Sequence, residues 1–333
     1  MRVLEERIVS VARERVGSRF VKLTDGVDDN QSSLQSLVAE RDELRRHCER
    51  LEALLANVSY PPGHFYSPVV DVGDPQAVAA VRGRVRAALP AGVAIDVEQM
   101  KSLMKRLAEQ HRHFPFPRHQ NPGLRFYFDN PFFGCHDASI LFSMLLEFRP
   151  RRMVEVGCGY SSCLLLDTNE QFFNGSLDLT LIDPALGDLQ SLFGERGAGA
   201  ARLFIDRVQN VPREVFERLE ENDILFIDSS HVSKTGSDVN YFLFEILPIL
   251  KPGVLVHFHD ILYPFEYLED WVLTQKRSWN EAYALHAFLQ YNSVFEIVYW
   301  NNFVWHRLRE ELAGLMPLCL ENEGGSIWLR RVR

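Results

Sequence analysis

Five short apolar segments, each with an acidic residue at or near its C-terminal end, restrict what this chain can fold into. Helical stretches lie between them, and such short apolar runs are typical of parallel strands buried on both faces. In a doubly wound α/β sheet these strands end at one shared edge, where ligands bind. The sequence therefore predicts a sheet with its functional site along the edge that carries Glu155, Asp183, Asp206, Asp228 and Asp260.

Two more strands are predicted after these five. Residues 295–300 and 325–332 are rich in aromatic and β-branched side chains, which favour strands. As a late pair after five strand–helix units, they suggest an antiparallel hairpin at one edge of the sheet. The prediction is a doubly wound, seven-stranded, mostly parallel α/β sheet. Helices are predicted within this region over 134–148, 264–279, 281–291 and near 307–315.

An N-terminal helical region precedes the sheet. Two irregular stretches, residues 59–70 and 114–130, are rich in proline and aromatic residues, which suits either a pocket wall or simple packing. We expect three parts: a helical segment over 1–58, a helical and aromatic-loop lid region over 59–134, and the sheet domain over 135–333. The predicted helices of the first two parts are a short one before Gly17, then 32–56, 75–89 and 95–111.

Residues 32–56 carry leucines at three- and four-residue spacing. Leu37, Leu44 and Leu51 fall at one heptad position, whereas Leu34, Arg41, Cys48 and Leu55 fall at the other. The pattern covers about three heptads and is interrupted by Arg41. It predicts either a short coiled coil that joins copies of the chain into a homo-oligomer, or a helix that docks on its own domain.

Charge and composition exclude several classes of partner. The net charge of −9 argues against a nucleic-acid backbone as a partner. No apolar run approaches the roughly 20 residues that cross a bilayer, and the charged N-terminus lacks the apolar centre of a signal peptide. The five cysteines are odd in number and scattered, which suggests neither a disulfide framework nor a zinc site. We therefore expect a cytoplasmic protein without a membrane span.

Residues 153–162 combine a strand, a tight turn and the start of a helix. Gly157 and Gly159 remove Cβ atoms where a ligand must approach the backbone closely. The free N–H groups at the start of the following helix can donate to a polar ligand. Such a turn is common in α/β proteins, so it indicates a ligand site only together with the acidic residues that follow it.

From about residue 135 onward the chain resembles the class I S-adenosylmethionine-dependent methyltransferases, and among them the small-molecule O-methyltransferases that act on sugars and natural products. Glu155, Gly157 and Gly159 match the family's first motif, with Ser161 where a third glycine often stands. The resemblance implies strand order 3-2-1-4-5-7-6 with strand seven antiparallel. It also implies S-adenosylmethionine as cofactor and a small-molecule or sugar acceptor.

The resemblance assigns residues to this cofactor. Asp183 would accept both ribose hydroxyls, because one carboxylate can accept two donors. Asp206 falls in the adenine-contacting region after the third strand, and Asp228 ends the fourth strand beside the cofactor. The methionine part would lie against the first motif, which comprises Glu155, Gly157, Cys158, Gly159, Tyr160, Ser161 and Ser162.

Two acid–histidine groups follow neighbouring strands, namely Asp228 with His231 and His259 with Asp260. Both resemble patterns of the family, and a shared sheet edge should bring them into one cleft. An alcohol is a weak nucleophile at neutral pH, so methyl transfer to a hydroxyl needs a base or a metal ion. His259 and His231 are the candidate bases, with Asp260 beside them. We prefer His259, because a strand end would hold it rigidly.

A metal ion is the alternative activator. Some relatives hold Mg²⁺ with acids at the ends of strands four and five, and Asp228 and Asp260 match two of these positions. His259 stands where those relatives have a glutamate, and Mg²⁺ prefers oxygen ligands. We expect His257 and residues 300–303 to be buried in the core, and His136 with Asp137 either to cap a helix or to reach the cofactor.

The sequence thus predicts an O-methyltransferase that acts on a hydroxyl of a small polar molecule, a sugar or a natural product. One alternative is N-methylation, which needs less base chemistry. Another is a catalytically inactive scaffold that assembles through residues 32–56. A nucleotide-dependent oxidoreductase fits less well, because Ser162 interrupts the Gly-x-Gly-x-x-Gly spacing.

Overall fold

The computed structural model describes residues 27–56, 58–83, 89–185 and 190–333, and the helix predicted before Gly17 lies outside them. The chain divides into two compact units, residues 1–69 and 70–333. In the first unit, helix α1 spans Val27–Leu55 and so begins five residues before the predicted start at 32. Residues 59–69 form turns and bends, as their proline content predicts.

The second unit begins with helices that pack against the sheet domain. Helix α2 spans Pro75–Gly83 and α3 spans Val97–His111, where the Asp96 carboxylate accepts a hydrogen bond from the Gln99 N–H at 2.9 Å. Helix α4, Cys135–Phe148, is almost wholly buried and contacts α3. Because α3 packs on α4, residues 70–134 of the predicted lid region share one compact unit with the sheet domain, whereas residues 59–69 belong to the first unit.

The seven strands form one sheet with the order β3-β2-β1-β4-β5-β7-β6. Strands β1 to β5 are parallel, and β7 pairs antiparallel with both β5 and β6, as predicted. Strands β1, β2, β4 and β5 are buried along nearly their whole length, as expected for strands covered on both faces. The strands are β1 Arg152–Val156, β2 Asp178–Ile182, β3 Arg202–Phe204, β4 Ile224–Ile227, β5 Leu255–Phe258, β6 Phe295–Trp300 and β7 Ile327–Arg331.

The helices between the strands vary in length. A π-helical and 3₁₀ extension follows helix α7, Asp238–Tyr241, as far as Ile249. Near residues 307–315, the single predicted helix is two helices that meet at Leu308. The helices are α5 Tyr160–Phe172, α6 Glu214–Glu217, α7 Asp238–Tyr241, α8 Glu281–Leu289, α9 Asn301–Arg307 and α10 Arg309–Leu315.

The helix predicted over 264–279 is wrong. Only the π-helical turn Asp270–Thr274 forms there. Phe265 has a φ of 69°, which an α-helix excludes. The Phe265 ring packs on Trp300 and His286, at centroid distances of 4.7 and 4.6 Å. Burial of these aromatic rings therefore outweighs the helical pattern of the sequence.

The irregular stretch 114–130 is fastened to α5 by a buried ion pair. Arg125 donates to Asp167 at 2.7 Å and to Glu170 at 2.8 Å. The Asp167 carboxylate also accepts the backbone N–H groups of Arg125 and Phe126. Since α5 begins at the glycine turn, this anchor holds the stretch close to the site. None of the helices in the described residues is long and apolar enough to span a membrane.

Candidate active site

The glycine turn connects β1 to α5 at the carboxyl edge of the sheet. Gly157 has a φ of +84°, and a Cβ there would lie 1.6 Å from the backbone oxygen of Asp228. Gly159 differs, because a Cβ at that position would meet no atom within 4 Å. Gly157 therefore lets β1 and β4 approach each other, whereas Gly159 leaves open space beside the start of α5.

Glu155 is fully buried beneath this turn. Its Oε2 accepts a hydrogen bond from the Ser162 hydroxyl at 2.6 Å, and the Ser162 hydroxyl accepts one from the Gly159 N–H at 3.1 Å. Its Oε1 has no partner in the described part of the chain. Burial raises the pKa of Glu155 to about 8. A buried carboxyl oxygen without a partner at this edge fits a ligand that brings a donor or a positive charge.

Asp183 directly follows β2 and closes the other side of the turn. Its Oδ2 accepts the Cys158 N–H at 3.0 Å, and its Oδ1 accepts the Ala185 N–H at 2.6 Å. Each carboxylate oxygen can accept two hydrogen bonds, so both retain capacity for a diol. Tyr160, Ser161 and Ser162 form the first turn of α5.

Asp206 follows β3 and is exposed. Its Oδ1 accepts the Arg207 N–H at 2.7 Å and the Asn210 side-chain amide at 2.8 Å. These bonds lower the pKa of Asp206, with the Asn210 contribution the larger. The carboxylate thus stabilises a local turn, and the contact with a cofactor stays a prediction.

The acid–histidine groups after β4 and β5 meet in one cluster. His231 Nε2 lies 3.3 Å from Asp228 and 3.8 Å from Asp260. His259 Nδ1 lies 3.4 Å from Asp260 and 3.7 Å from Asp228. The two histidine side chains are each 8% exposed, whereas the Asp228 side chain is 31% exposed. The carboxylates therefore separate the imidazoles, and Asp228 is the group most open to solvent.

Electrostatics set the charge of this cluster. Burial opposes a charged imidazole, but hydrogen bonds to Asp228 and Glu281 outweigh it and raise the pKa of His231 well above 6.5. Burial likewise opposes a charged His259, and the carboxylates of Asp228 and Asp260 raise its pKa. Burial also works against ionised Asp228, yet the two imidazoles lower its pKa to about 2. Burial raises the pKa of Asp260.

Glu281, at the start of α8, completes the environment of His231 and was not predicted from the sequence. Its Oε2 lies 2.9 Å from His231 Nδ1. The His231 carbonyl in turn accepts the N–H groups of Asn280 and Glu281, both at 3.1 Å. His231 has a φ of 59°, an uncommon conformation for a non-glycine residue, and these bonds hold it. An isolated acid at a helix start gives no sequence signal that would connect it to residue 231.

Asp137 lies on the opposite side of His259, 3.9 Å from Nε2. Its carboxylate accepts hydrogen bonds from the Asn301 amide, from the Gly325 and Ser326 N–H groups and from the Ser326 hydroxyl. It therefore joins α4 to the segment before β7. His257 is fully buried, with Nε2 2.8 Å from the Ser326 hydroxyl, and its burial lowers its pKa well below 6.5. These two residues support the cluster from beneath.

The side chains predicted to hold a metal ion are not arranged as a ligand set. Within 27–56, 58–83, 89–185 and 190–333, no three His, Cys, Asp or Glu side chains are grouped as a metal site. Asp228 and Asp260, the two predicted ligands, instead both face imidazole nitrogens.

A group of aromatic rings borders the glycine turn. The Tyr160 hydroxyl lies 3.3 Å from that of Tyr127, and the Phe132 ring lies 6.4 Å from Tyr160. Phe132 is 80% exposed, yet its backbone is fixed, because the Asn130 side chain accepts the N–H groups of Phe132 and Phe133. The buried Phe133 ring contacts His259 at 5.4 Å. Phe132 therefore presents an exposed ring beside Tyr160 of the glycine turn, on a loop held by hydrogen bonds to Asn130.

Comparison with known proteins agrees with this geometry. Residues 154–261 match the family model of a methyltransferase domain. A curated relative, an uncharacterized protein from Archaeoglobus fulgidus, is 31% identical over 185 residues, which are 53% of this chain and 82% of the relative. The matched domain begins in β1 and ends just after His259 and Asp260, so it contains the turn and both acid–histidine groups.

Several solved structures resemble this chain at low identity. CmcI without ligand is 17% identical with a TM-score of 0.39, and the match covers 65% of this chain and 76% of that chain. CmcI with SAH gives 17% and 0.38, covering 66% and 85%. Coclaurine N-methyltransferase bound to N-methylheliamine and SAH gives 9% and 0.27, covering 87% and 94%. Identities and TM-scores this low do not indicate a substrate. The fold is instead identified by the order of its seven strands.

Proposed function

The chain belongs to the class I S-adenosylmethionine-dependent methyltransferases, and from that premise we propose that it methylates a hydroxyl group of a small polar molecule, a sugar or a natural product. The observation that carries the proposal is the cluster of His231 and His259 between carboxylates. Burying so many ionisable groups is costly. An acceptor amine needs little help to react, whereas a hydroxyl must lose a proton, and this cluster can take one.

The residues that would hold the cofactor line the edge of β1 and β2. We assign the methionine part to the turn from Gly157 to Ser162 with Glu155 beneath it, and the ribose hydroxyls to Asp183. The open space at Gly159 and the unpartnered Glu155 Oε1 support this assignment. S-adenosylmethionine supplies an electrophilic methyl group, so the protein has only to align the acceptor and remove its proton.

In the proposed reaction, His259 accepts the acceptor's proton. The carboxylates of Asp260 and Asp228, 3.4 and 3.7 Å from Nδ1, stabilise the imidazolium that forms. His231 holds Asp228 and Asp260 in place from the other side, and Glu281 orients His231. The same carboxylates raise the pKa of His259. The neutral imidazole, which is the form that can accept a proton, therefore becomes populated only at higher pH.

The acceptor would bind against the aromatic rim. Phe132 offers an exposed ring face on a loop fixed by Asn130, and Tyr160 lies within the turn itself. Aromatic faces favour the apolar faces of sugar rings and other aromatic rings, since both lose water on contact. This supports a ring-bearing acceptor. We keep residues 59–134 as the proposed lid region.

The test is methyl transfer from trideuteromethyl S-adenosylmethionine to the small molecules of a cell extract, followed by mass spectrometry. The proposal predicts labelled products whose fragments carry the methyl group on oxygen. It also predicts that His259→Gln abolishes them while binding of S-adenosylhomocysteine persists. Label found only on nitrogen would establish N-methylation instead. Cofactor binding without any labelled product would support the inactive scaffold.

The same assay tests the magnesium alternative. Proton removal by His259 predicts equal rates with Mg²⁺ and with EDTA. A rate that disappears in EDTA and returns with Mg²⁺ would transfer the role of activator to a metal ion held by Asp228 and Asp260.

We also propose that the chain assembles into a homo-oligomer through residues 32–56, and that it works in the cytoplasm. Helix α1 displays Leu34, Leu44 and Leu51 to solvent, at 64%, 49% and 37% exposure. Light scattering of the purified protein tests the assembly directly.

A further inference from the structure

Helix α1 carries more than a seam of leucines, because four of the five residues that flank the seam are ionisable and follow a definite order. With Leu37, Leu44 and Leu51 at heptad position d and Leu34, Arg41 and Cys48 at position a, the flanking positions are fixed. Val38, Arg45 and Glu52 take position e, and Glu40 and His47 take position g. All five of these flanking residues are exposed.

In a parallel coiled coil, position g of one helix faces position e of the next heptad on the other helix. In register, Glu40 then faces Arg45 of the second copy, and His47 faces Glu52 of the second copy. Both contacts join residues of complementary character. In a fully overlapping antiparallel pair, Arg45 would instead face Val38, and that ionic contact would be lost.

Position a supplies the second argument. A charged residue at a single a position favours two strands in register, because a larger or shifted assembly would bury it. The long Arg41 stem can carry its guanidinium out to the rim, where Glu40 of the second copy lies. Arg41 is exposed and pairs only with its neighbour Asp42, at 2.7 Å, among the contacts described for α1.

Cys48 takes the next a position, and it is the one cysteine of the five that is exposed. In a parallel pair in register, residues at a meet their own copies across the axis, so the two Cys48 thiols would be neighbours. In an antiparallel pair, residues at a face residues at d, and Cys48 would face a leucine. Cys48 therefore reports both the direction and the register of the pair.

We propose that α1 forms a parallel, in-register, two-stranded coiled coil with a second copy of this chain, with Cys48 facing Cys48 of that copy. The inference rests on the proposed assembly through residues 32–56 and adds its stoichiometry, direction and register. In a reducing cytoplasm the thiols stay free, so a disulfide here serves as a probe of geometry.

The experiment oxidises the full-length protein with dioxygen and copper–phenanthroline, which removes one electron and one proton from each thiol and forms one S–S bond. We expect a dimer by light scattering that becomes disulfide-linked on a non-reducing gel, with the same linked fraction after tenfold dilution of the dimer. Cys48→Ser should remain a dimer and give no link. A monomer would overturn the assembly and the coiled coil together. A dimer without a link would overturn the parallel register alone.

Charge reversal gives an independent test that does not use the thiol. Glu40→Arg and Arg45→Glu each place like charges together in the proposed pair, so each should raise the dimer dissociation constant several-fold. The double variant restores opposite charges and should recover most of the affinity. It also loses the ion pair between Arg45 and Glu49 within the same helix, whose atoms lie 3.1 Å apart. Failure of the double variant to recover would contradict the proposed register. All of these substitutions lie outside the matched methyltransferase domain, residues 154–261, so activity reports separately on the proposed function.

Discussion

Gly157 and Gly159 differ in what an added side chain would meet. A Cβ at Gly157 would lie 1.6 Å from the Asp228 backbone oxygen, at a φ of +84°, whereas a Cβ at Gly159 meets open space. We expect Gly157→Ala to lower the free energy of unfolding by about 3 kcal/mol or more, because strain and a clash combine. Gly159→Ala should change it by less than about 1 kcal/mol. Urea denaturation of both variants measures the difference.

The two glycines also separate folding from binding. If the open space at Gly159 receives the cofactor, Gly159→Ala should weaken the binding of S-adenosylhomocysteine while leaving the free energy of unfolding nearly unchanged. Equal loss of stability in both variants would contradict the geometry of the turn.

The raised pKa of His259 predicts how the rate of methyl transfer depends on pH. Burial opposes its charged form, but the carboxylates of Asp228 and Asp260 outweigh burial and raise its pKa above 6.5. A base must be neutral, so kcat/KM should rise with pH through an apparent pKa above 6.5. His259→Gln should lower kcat by roughly 10²- to 10⁴-fold, the usual contribution of a general base. The exposed His113→Gln is the control. A flat pH profile would exclude this role for His259.

At the scale of elements, the buried ion pair between the stretch 114–130 and α5 has a measurable role. Arg125 and Asp167 are 2% and 0% exposed. Arg125→Met leaves a buried carboxylate without its main partner, which should cost about 3–5 kcal/mol of unfolding free energy. The exposed pair of Arg112 and Glu109 gives a control, because Arg112→Met should cost less than about 1 kcal/mol. Thermal and urea unfolding measure both. Equal costs would show that the anchor contributes little.

The elements also show what a sequence can predict. Strand positions and their acids were predictable, because a buried strand must be apolar and must end at the edge where polar groups are tolerated. The course of residues 264–279 was not, because burial of Phe265 and its neighbours overrides local helical pattern. Glu281 was missed for a similar reason, since its contact with His231 spans 50 residues of sequence and depends on where α8 begins. Local pattern carries no information about such contacts.

At the scale of the whole molecule, buried acids make stability depend on pH. Burial raises the pKa of Glu155 from 4.5 to about 8. The unfolded chain releases this proton near its ordinary pKa, while the folded protein retains it, so stability falls as pH rises between these values. Each unit of pKa shift is worth about 1.4 kcal/mol, so the loss reaches several kcal/mol. Glu155→Gln should therefore show a shallower decline between pH 5 and about 8.

Urea denaturation at a series of pH values tests this prediction without the cofactor. Glu310→Gln removes an exposed acid and should leave the decline as steep as in the unaltered protein. A decline of the same steepness in Glu155→Gln would mean that Glu155 is ionised in the folded protein, contrary to its burial.

We propose that this fold binds S-adenosylmethionine at the edge formed by the glycine turn and Asp183. The most direct measurement is calorimetric titration of the purified protein with S-adenosylhomocysteine, together with Asp183→Ala and the surface control Glu310→Gln. We predict micromolar binding by the unaltered protein and by Glu310→Gln, and loss of binding in Asp183→Ala. No binding by the unaltered protein, or equal binding by Asp183→Ala, would contradict the assignment of this edge to the cofactor.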